Sequence, residues 1–524
     1  MTTTDSAKDS LSVDAAHAEL TREQIGHLRH FTNLLNQPSN DWSLMQGKGL
    51  GQDDFGGYRF HLAYLTYALA LTHKHRLPAA PGLFKPLFEK AIEKILLPEV
   101  WIYWKDTSRG GAIFNAHLAD KYHEEYNPVV KDNIMYSAYV QSMALLYNYL
   151  FDDDRYAQPG ALTFSFYTPF WGGPEKRFEY DQNTLNDHVY WLMVQSGYLG
   201  VPCEPNCIWQ ICNQPAILGF RMHDFISGGS VADEVTSGYE RAWKQYGRLD
   251  QAGRYTMMIM EDSKTPLPNA GTWAWIDAWS GALLNMWNRD FVHTHYPEQI
   301  KTLLVPRSDG TIGINPGQNF VIGDHQVVGD GCDLGWVAAW AAEIGDQQTL
   351  DGLLAFADCH LKPKWRDGGL YYPRNDVEYD VDGVRTMMEP LVGNVLLGYA
   401  RLNVADGMWK LYNQPWDRSH WDEPALTTVA ANVDVTRAYF DREAKTLAFT
   451  IQARRDLDID GDSAVVLANL DKTGNTWSLN EDRRAVATCR DGVLETDGVD
   501  LRKVDDGYQL VCTGDRVHRY TVTF

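Results

Sequence analysis

Apolar residues recur at three- and four-residue spacing along the chain as far as about residue 411. This spacing places apolar side chains on one face of a helix, so it predicts a succession of amphipathic or wholly apolar α-helices. Long loops rich in Gly, Pro, Asp and Tyr, such as residues 104–131 and 309–331, separate them, and such loops usually carry function. The clearest predicted helices are 58–73, 82–97, 133–150, 185–199, 206–220, 232–246, 273–287, 297–304, 334–344, 348–361 and 387–402.

A different pattern begins near residue 422. The runs become short, β-branched and partly alternating, with turn signals such as Asp491-Gly492 and Asp506-Gly507 between them, which predicts antiparallel strands joined by tight turns. The composition changes at the same point, because 17 of the 18 Trp residues precede residue 425. We therefore predict a disordered lead at 1–20, a helical catalytic domain at 21–421 and a small β domain at 422–524.

The arrangement of the helices predicts the fold. About a dozen helices in antiparallel pairs, with elaborate aromatic loops on one side, are typical of an (α/α)6 barrel whose inner-helix ends line a funnel. Helical repeats of another kind stay an alternative, although the sequence has no fixed period. The predicted fold class is mainly α, an (α/α)6 barrel followed by a small antiparallel β-sandwich.

The charge composition argues against two classes of binding partner. The chain of 524 residues carries 69 acidic and 47 basic side chains, a net charge of −22. Nucleic acids and anionic membrane surfaces are bound by clustered Lys and Arg, so this charge argues against both. The first 20 residues lack the apolar run of a secretory signal, and no window is apolar enough for a spanning helix. We expect a cytoplasmic protein.

Three of the seven cysteines, Cys203, Cys207 and Cys212, lie within one decapeptide. Pro205 suits the first turn of a helix, so Cys203 is predicted just before a helix N-terminus, whose dipole would stabilise a thiolate. Cys212 is predicted two turns inside the same helix. The spacing does not fit a zinc site, so no metal is predicted. A Cys203–Cys212 disulfide, buried structural thiols and thiol catalysis stay open as alternatives.

The run Cys203-Glu-Pro-Asn206, with Cys212 and Asn213 after it, resembles the cysteine segment of the linalool dehydratase-isomerase family. Three further runs resemble that family in the same order: Asp132-Asn-Ile-Met-Tyr136, Glu343-Ile-Gly-Asp-Gln-Gln348 and Leu370-Tyr-Tyr-Pro373. The resemblance spans about residues 25–405 and leaves the β region outside. It implies an (α/α)6 barrel in a ring-shaped homo-oligomer, with sites in apolar cavities near the subunit interfaces.

The resemblance also implies a reaction. The family adds water to, removes water from, or isomerises an allylic alcohol without a metal or an organic cofactor, which implies a small apolar or unsaturated substrate. Cys203 and Cys212 would serve as proton donor and acceptor or as a covalent handle. Met135 would lie beside the substrate.

Three positions depart from the family. Its catalytic His corresponds to Tyr139, and a functional Tyr on its first barrel helix corresponds to Phe60, although Tyr58 lies close by. The family's N-terminal Asp has no clear counterpart. Because the polar partners differ while the thiols are kept, we expect a different substrate or a different reaction.

Together these residues define a candidate site for water elimination. That reaction needs an acid for the leaving hydroxyl, a base for the neighbouring C–H and a dry aromatic wall. Glu204 can bind or deprotonate a hydroxyl, or merely favour a helix N-terminus. We predict a cofactor-free lyase or isomerase of the dehydratase type that acts on a terpenoid-like or alkenol substrate. The catalytic candidates are Cys203, Cys212, Tyr139 and Glu204, and the substrate-binding candidates are Met135, Tyr136, Phe60, Tyr58, Trp104 and Tyr372.

A carbohydrate-active hydrolase or lyase is the rival hypothesis. Helical barrels with aromatic clefts often act on sugars through paired carboxylates, and their tryptophans stack on sugar rings. A third hypothesis is a catalytically inactive relative that kept the cavity and binds a small molecule. The residues that the sugar hypothesis would use are Asp187, Asp324, Asp330, Asp333, Trp101, Trp104, Trp273, Trp275 and Trp279.

Overall fold

The computed structural model of the protein describes residues 17–46, 57–111, 114–318, 320–322, 325–327, 331–454 and 461–524. Helices dominate as far as residue 413, and strands dominate from Ala425 onward. The main helices are α1 (Arg22–Leu35), α2 (Tyr58–His75), α3 (Pro81–Ile95), α4 (Ile134–Phe151), α5 (Gln182–Gln195), α6 (Gln214–Ser227), α7 (Val231–Tyr246), α8 (Ala274–Leu284), α9 (Arg289–Leu303), α10 (Asp333–Ile344), α11 (Gln347–His360), α12 (Leu397–Leu402, continuing a π-helical turn Val392–Leu396) and α13 (Gly407–Asn413).

Six of these helices form a closed inner ring. Helix α2 packs on α4, α4 on α6, α8 on α10, α10 on α12, and α12 on α2 again. The 3-10 turn Ile211–Asn213 contacts both α6 and α8 and so closes the remaining gap. The helices that alternate with these along the chain, α1, α3, α5, α7, α9 and α11, pack around the ring as an outer layer. The predicted (α/α)6 barrel is confirmed.

Two of the inner helices, α4 and α8, are buried on every side. All residues of α4 and α8 are buried, which agrees with an apolar composition all around the helix. Small residues let neighbouring inner helices approach: a Cβ at Gly281 of α8 would lie 2.3 Å from the Trp340 indole of α10. None of the helices that the structure describes is both long and apolar enough to cross a membrane.

Three of the outer helices, α1, α5 and α11, begin at side-chain caps. Thr21 and Gln24 form a capping box at the start of α1, and Asp181 caps α5 in the same way. Such caps satisfy backbone N–H groups that have no partner inside the helix. Several predicted bounds shift by a few residues. The helix predicted at 297–304 begins at Arg289, and the helix predicted at 206–220 is wrong over its first half.

Short strands build the loops between helices. They form two-stranded hairpins and one three-stranded sheet, β3-β4-β5. Their residues are β1 (Leu162–Phe166), β2 (Lys176–Tyr180), β3 (Cys207–Trp209), β4 (Met258–Met260), β5 (Pro266–Leu267), β6 (Leu304–Pro306), β7 (Ile312–Ile314), β8 (Phe320–Ile322), β9 (His325–Val327), β10 (Lys364–Arg366) and β11 (Gly369–Tyr371).

The C-terminal region folds into two antiparallel sheets, as the alternating pattern predicted. One has the order β12-β15-β20-β19 and the other β13-β14-β21-β16-β17-β18. Their strands are β12 (Ala425–Val429), β13 (Val433–Asp441), β14 (Thr446–Ala453), β15 (Ala464–Ala468), β16 (Thr476–Glu481), β17 (Arg484–Arg490), β18 (Val493–Thr496), β19 (Leu501–Val504), β20 (Gly507–Val511) and β21 (Val517–Thr523).

The sheets pack against the barrel and against the start of the chain. The backbone N–H of Leu426 donates to Ala79 O at 2.8 Å, and that of Leu20 donates to Thr436 O at 2.8 Å. Glu19 forms an ion pair with Arg519. Residues 1–16 of the predicted disordered lead lie outside the described residues, whereas residues 17–20 pack on the β region.

Candidate active site

The cysteine segment forms a tight hairpin rather than the predicted helix. The Cys203 N–H donates to Cys207 O at 2.9 Å, and the Cys207 N–H donates to Glu204 O at 2.9 Å. Asn206 has a positive φ of 71°, a conformation that Asn tolerates in turns. Pro205 therefore lies in a turn, and the correction is that α6 begins only at Gln214.

Hydrogen bonds from three directions hold this hairpin in place. The Ile134 N–H at the start of α4 donates to Pro202 O at 3.1 Å, and the Asn115 amide donates to Pro205 O at 2.8 Å. The side chain of Asn213 accepts from the Val201 N–H and donates to the Val201 carbonyl. Strand β3 pairs with β4. The hairpin is thus fixed on the end of the inner ring.

Cys203 and Cys212 are buried free thiols that interact with each other. Cys212 lies in the turn Ile211–Asn213 before α6, and not two turns inside a helix. Burial raises the pKa of the Cys203 thiol, while its hydrogen bond with Cys212 lowers that pKa. Burial raises the pKa of Cys212 still more strongly. The predicted thiolate at a helix N-terminus is wrong, and Cys203 is the more acidic thiol of a neutral pair.

Glu204 extends this pair into a chain of three proton-carrying groups. Partial burial raises the pKa of its carboxyl, against hydrogen bonds with Cys203 and Trp209 and the positive charge of Arg59. The Trp209 indole donates to Glu204 Oε2 at 2.9 Å. The carboxyl can therefore exchange a proton with the Cys203 thiol at a pH closer to neutrality than an exposed Glu could.

Arg59 brings the positive charge of the site. It is buried, and its guanidinium lies over the ring of Tyr103 at 3.9 Å and over that of Phe60 at 4.4 Å. Its charge lowers the pKa of both Cys203 and Glu204. A charged residue inside an apolar helical run was the sequence signal that could have marked Arg59.

Aromatic side chains form a continuous wall beside the thiols. Tyr64 packs edge-on against Trp336 at 4.7 Å and against Tyr139 at 5.8 Å, and Trp279 stacks on Trp336 at 4.3 Å. Phe60 contacts both Tyr139 and Trp279. The Trp279 indole donates to the Tyr64 hydroxyl at 2.5 Å. The negative ring faces of such a wall can stabilise a cationic carbon centre.

Two buried polar groups stand out in this wall. The Trp336 indole N–H has no hydrogen bond within the described residues, and the Tyr139 hydroxyl shares a hydrogen bond with the Tyr64 hydroxyl. Leaving a buried donor unsatisfied costs about 1–3 kcal/mol. Burial raises the pKa of Tyr139 far above its usual value, and the negative charge of a Cys212 thiolate would raise it further. Both groups are suited to bind an oxygen atom of a ligand.

The wall lies at one end of the inner ring. Phe60 and Tyr64 are in the first two turns of α2, Tyr139 in the second turn of α4, Trp279 in that of α8 and Trp336 in the first turn of α10. The N-terminal ends of these helices therefore converge on the site. Their dipoles give it a positive potential that favours an oxygen with developing negative charge.

Three further substrate-binding candidates are Met135, Trp104 and Tyr58. Met135 is buried in the first turn of α4, beside the residue that anchors the hairpin. Trp104 is buried one residue after Tyr103. Tyr58 stacks on Trp42 at 4.3 Å.

Two of the candidates donate hydrogen bonds to outer helices. The Tyr136 hydroxyl donates to Ile95 O on outer helix α3 at 2.6 Å, and the Tyr372 hydroxyl donates to Asp358 on outer helix α11. Each phenol thus has a hydrogen-bond partner on an outer helix, and contact of Tyr136 and Tyr372 with substrate stays a prediction.

The carboxylates of the sugar hypothesis do not form a facing pair among the described residues. Asp187 is exposed on outer helix α5, and Asp333 is buried in an ion pair with Arg385. Asp324 and Asp330 lie outside the described residues. Trp101 packs on Phe164 in the core. In the described part of the chain, no group of three His, Cys, Asp or Glu residues is arranged to hold a metal ion.

The fold and site define an (α/α)6 barrel protein with buried thiols at the ring end. Residues 59–378 match the family model for linalool dehydratase/isomerase. The match covers more than half of the chain, so this protein belongs to the linalool dehydratase/isomerase family. The resemblance of the cysteine segment to that family is confirmed.

Three solved structures resemble this chain at low sequence identity. An alpha-amylase from Clostridium perfringens is 10% identical, with 72% of this chain and 97% of that chain covered and a TM-score of 0.39. An inactive alpha-1,6-mannanase variant of Salegentibacter sp. HEL1_6 is 12% identical (72% and 98%, TM-score 0.40), and a glycosyl hydrolase of family 88 from Bacteroides vulgatus is 11% identical (75% and 99%, TM-score 0.38). Likeness at this level carries no argument about activity.

Proposed function

We propose that this protein is a cofactor-free lyase or isomerase that removes water from, or adds water to, a small unsaturated alcohol. The observation that carries the proposal is the hydrogen-bonded chain Glu204–Cys203–Cys212 beside an aromatic wall. Membership of the linalool dehydratase/isomerase family supports this reaction class. The substrate is of alkenol or terpenoid type, because the wall offers aromatic faces and few polar groups.

Cys203 acts as the acid. Its neutral thiol protonates the leaving hydroxyl as the C–O bond breaks, which produces water, an allylic cation and a thiolate. The hydrogen bond from Cys212 stabilises that thiolate. The positive charge of Arg59 has the same effect. General acid catalysis of this kind contributes about 10²–10⁴-fold.

Glu204 acts as the base and resets the site. Its carboxylate takes the proton from the carbon next to the cation, which leaves the alkene. The Glu204 carboxyl then returns this proton to the Cys203 thiolate through their shared hydrogen bond. The sum of the steps is an alcohol converted to an alkene and water, with both side chains back in their starting states. Water addition runs through the same steps in reverse.

Tyr139 binds the substrate oxygen. Its buried hydroxyl lies on the wall next to Phe60 and shares a hydrogen bond with the Tyr64 hydroxyl. The oxygen of the Tyr139 hydroxyl can accept a further hydrogen bond from the departing or attacking water. Return of the water at the other end of the allylic cation would give an isomerised alcohol, which accounts for lyase and isomerase activity at one site.

The test replaces each thiol in turn. We expect Cys203→Ala and Cys212→Ala to lower the turnover of a panel of tertiary and primary allylic alcohols by about 100-fold or more, measured by gas chromatography of alkene and alcohol products. Cys207→Ala is the matched control, because Cys207 is a buried thiol on the same hairpin. Full turnover in the Cys203 variant would overturn the proposal. Sugar release from oligosaccharides without alkenol turnover would favour the rival hypothesis.

We further propose that the protein works as a homo-oligomer. The β1–β2 hairpin exposes Phe170 and Trp171, which are 85% and 97% exposed, at its tip. Adjacent exposed aromatic residues of this kind are typical of association surfaces.

A further inference from the structure

A cavity of about 750 Å³ lies between the barrel and the β region. It is lined by the C-terminal ends of α2 and α4, by the segment that follows α13 and by strand residues of the β region. Lys74, the lining cation on α2, follows Tyr64 of the aromatic wall by ten residues. At 1.5 Å per helical residue this is about 15 Å, so the cavity is separate from the thiol site.

Lys74 is the unusual group in this cavity. Its ammonium lies over the Trp416 ring at 4.4 Å, and its Nζ donates to the Tyr149 hydroxyl at 3.4 Å. Within the described residues no carboxylate pairs with it. Burial of this amine lowers its pKa to about 7. A buried cation without a counter-ion is costly, and a ligand anion would remove that cost.

The other lysine and arginine side chains of the cavity, Lys85 and Arg442, already have carboxylate partners. Lys85 pairs with Asp153 at 2.7 Å, and Arg442 pairs with Glu423. Glu423 also binds His420. Asp417 accepts hydrogen bonds from Ser419, and Asp152 also lines the cavity. Among the lysine and arginine side chains of the lining, Lys74 is the one without a carboxylate partner within the described residues, so it can take an external anion.

His73 supplies a second unpartnered polar atom in the lining. Its Nδ1–H donates to Leu77 O at 3.1 Å, so Nε2 is an acceptor, and that atom has no partner within the described residues. The ring is 1% exposed and stacks on Phe151. Burial lowers the pKa of His73 to about 3, so it stays neutral and can accept a hydrogen bond from a ligand hydroxyl.

We propose that this cavity binds a small organic carboxylate with an apolar or aromatic body, whose anionic group takes the ammonium of Lys74 as its counter-ion. The body of the ligand packs on the Trp416 face, and a hydroxyl on the ligand adds a hydrogen bond to His73 Nε2. The site joins barrel and β region, so its ligand stabilises their contact. It does not depend on the proposed reaction at the thiols.

The experiment is calorimetric titration of the full-length protein at pH 7 with benzoate, 3-hydroxybenzoate and the neutral isostere benzamide. We expect benzoate to bind, 3-hydroxybenzoate to bind more tightly, and benzamide to bind at least about tenfold more weakly. Lys74→Met should weaken benzoate binding by about tenfold or more. Lys85→Met, a lining lysine that is already paired, should not. Equal binding of benzoate and benzamide, or unchanged benzoate affinity in Lys74→Met, would overturn the proposal.

A second measurement needs no variant. Benzoate affinity of the wild-type protein should fall about tenfold per pH unit once the amine of Lys74 loses its proton. The neighbouring titratable groups are His73 and His75 on α2, Tyr149 on α4 and His420 before the β region. Burial lowers the pKa of both His73 and His75 to about 3 and raises that of Tyr149, so none of these three titrates between pH 7 and 9. Affinity that is constant over that range would contradict the role of Lys74.

Discussion

The indole N–H of Trp209 donates to the carboxylate of Glu204 across the cysteine hairpin at 2.9 Å. This bond joins the strand that follows the turn to the residue beside Cys203. It holds the carboxylate next to the thiol and favours its charged form. The hairpin 203–209 thus contributes to the ionisation of the proposed base, together with burial and the positive charge of Arg59.

Trp209→Phe should shift the pH dependence of turnover to higher pH. Removal of the donor takes away stabilisation of about 1–1.5 kcal/mol from the Glu204 carboxylate, so its pKa rises by about one unit. The base works in its ionised form, so activity rises as pH increases through this pKa. We expect the acidic limb of kcat/KM against pH to shift to higher pH by about one unit, with the plateau lowered no more than a few-fold.

Trp243→Phe is the control for this shift. Its indole donates to Leu199 O at 2.9 Å, so the substitution removes a buried tryptophan hydrogen bond without touching Glu204. It should lower the thermal midpoint and leave the pH profile in place. An unshifted acidic limb in Trp209→Phe would show that Glu204 is not the base.

The buried thiols should be slow to react with alkylating reagents. Burial raises the pKa of Cys203 and Cys212, and the reactive species is the thiolate. Cys359 is the exposed cysteine of the chain. In a time course with iodoacetamide at pH 7.5, followed by peptide mass spectrometry, we expect Cys359 to be labelled at least about tenfold faster than Cys203. Equal labelling rates for Cys359 and Cys203 would instead indicate that Cys203 has a low pKa and reacts as a thiolate.

Gly393 packs directly against the backbone of Tyr372, in the loop that follows β11. A Cβ at Gly393 would lie 1.8 Å from the carbonyl oxygen of Tyr372, whose N–H donates to Gly393 O at 3.2 Å. Gly393→Ala must push this backbone apart, and we expect it to lower the free energy of unfolding by about 3 kcal/mol. Gly173→Ala is the matched control, because a Cβ there meets open space. Urea unfolding compares them, and equal stability would contradict the close packing.

Sequence periodicity predicted the barrel because its inner helices are apolar all round and its outer helices are amphipathic. The helix prediction failed at the cysteine segment, where the apolar spacing covers only a short stretch of the chain. Residues 206–220 read as a helix, yet Asn206 takes a left-handed conformation and the backbone pairs across the turn. A hairpin of this size depends on distant partners, such as the Asn115 amide on Pro205 O, which no local pattern contains.

The candidate site was likewise predicted only in part from the sequence. The spacing of Cys203 and Cys212 identified the thiols, but the sign of their pKa shift was wrong, because burial outweighs any helix dipole once the helix begins later. Arg59 was missed, since a lone Arg in an apolar run carries no motif. Tyr136 and Phe60 both lie in apolar helical runs near the site, and only the fold shows that the first faces α3 and the second faces the wall.

Trp171→Ser should reduce the proposed association of subunits. Trp171 and Phe170 lie next to each other at the β1–β2 hairpin tip, and burying one such side chain in an interface stabilises it by about 1.5–3 kcal/mol. Sedimentation velocity at micromolar concentration should show an oligomer for the wild type and a shift toward monomer for the variant. Val381→Ser is the control, because Val381 is fully exposed but has no other large apolar exposed residue adjacent to it in sequence. If the wild-type protein sediments as a monomer, or if the variant keeps the oligomer, this hairpin is not part of an interface. The site would then be complete within one subunit.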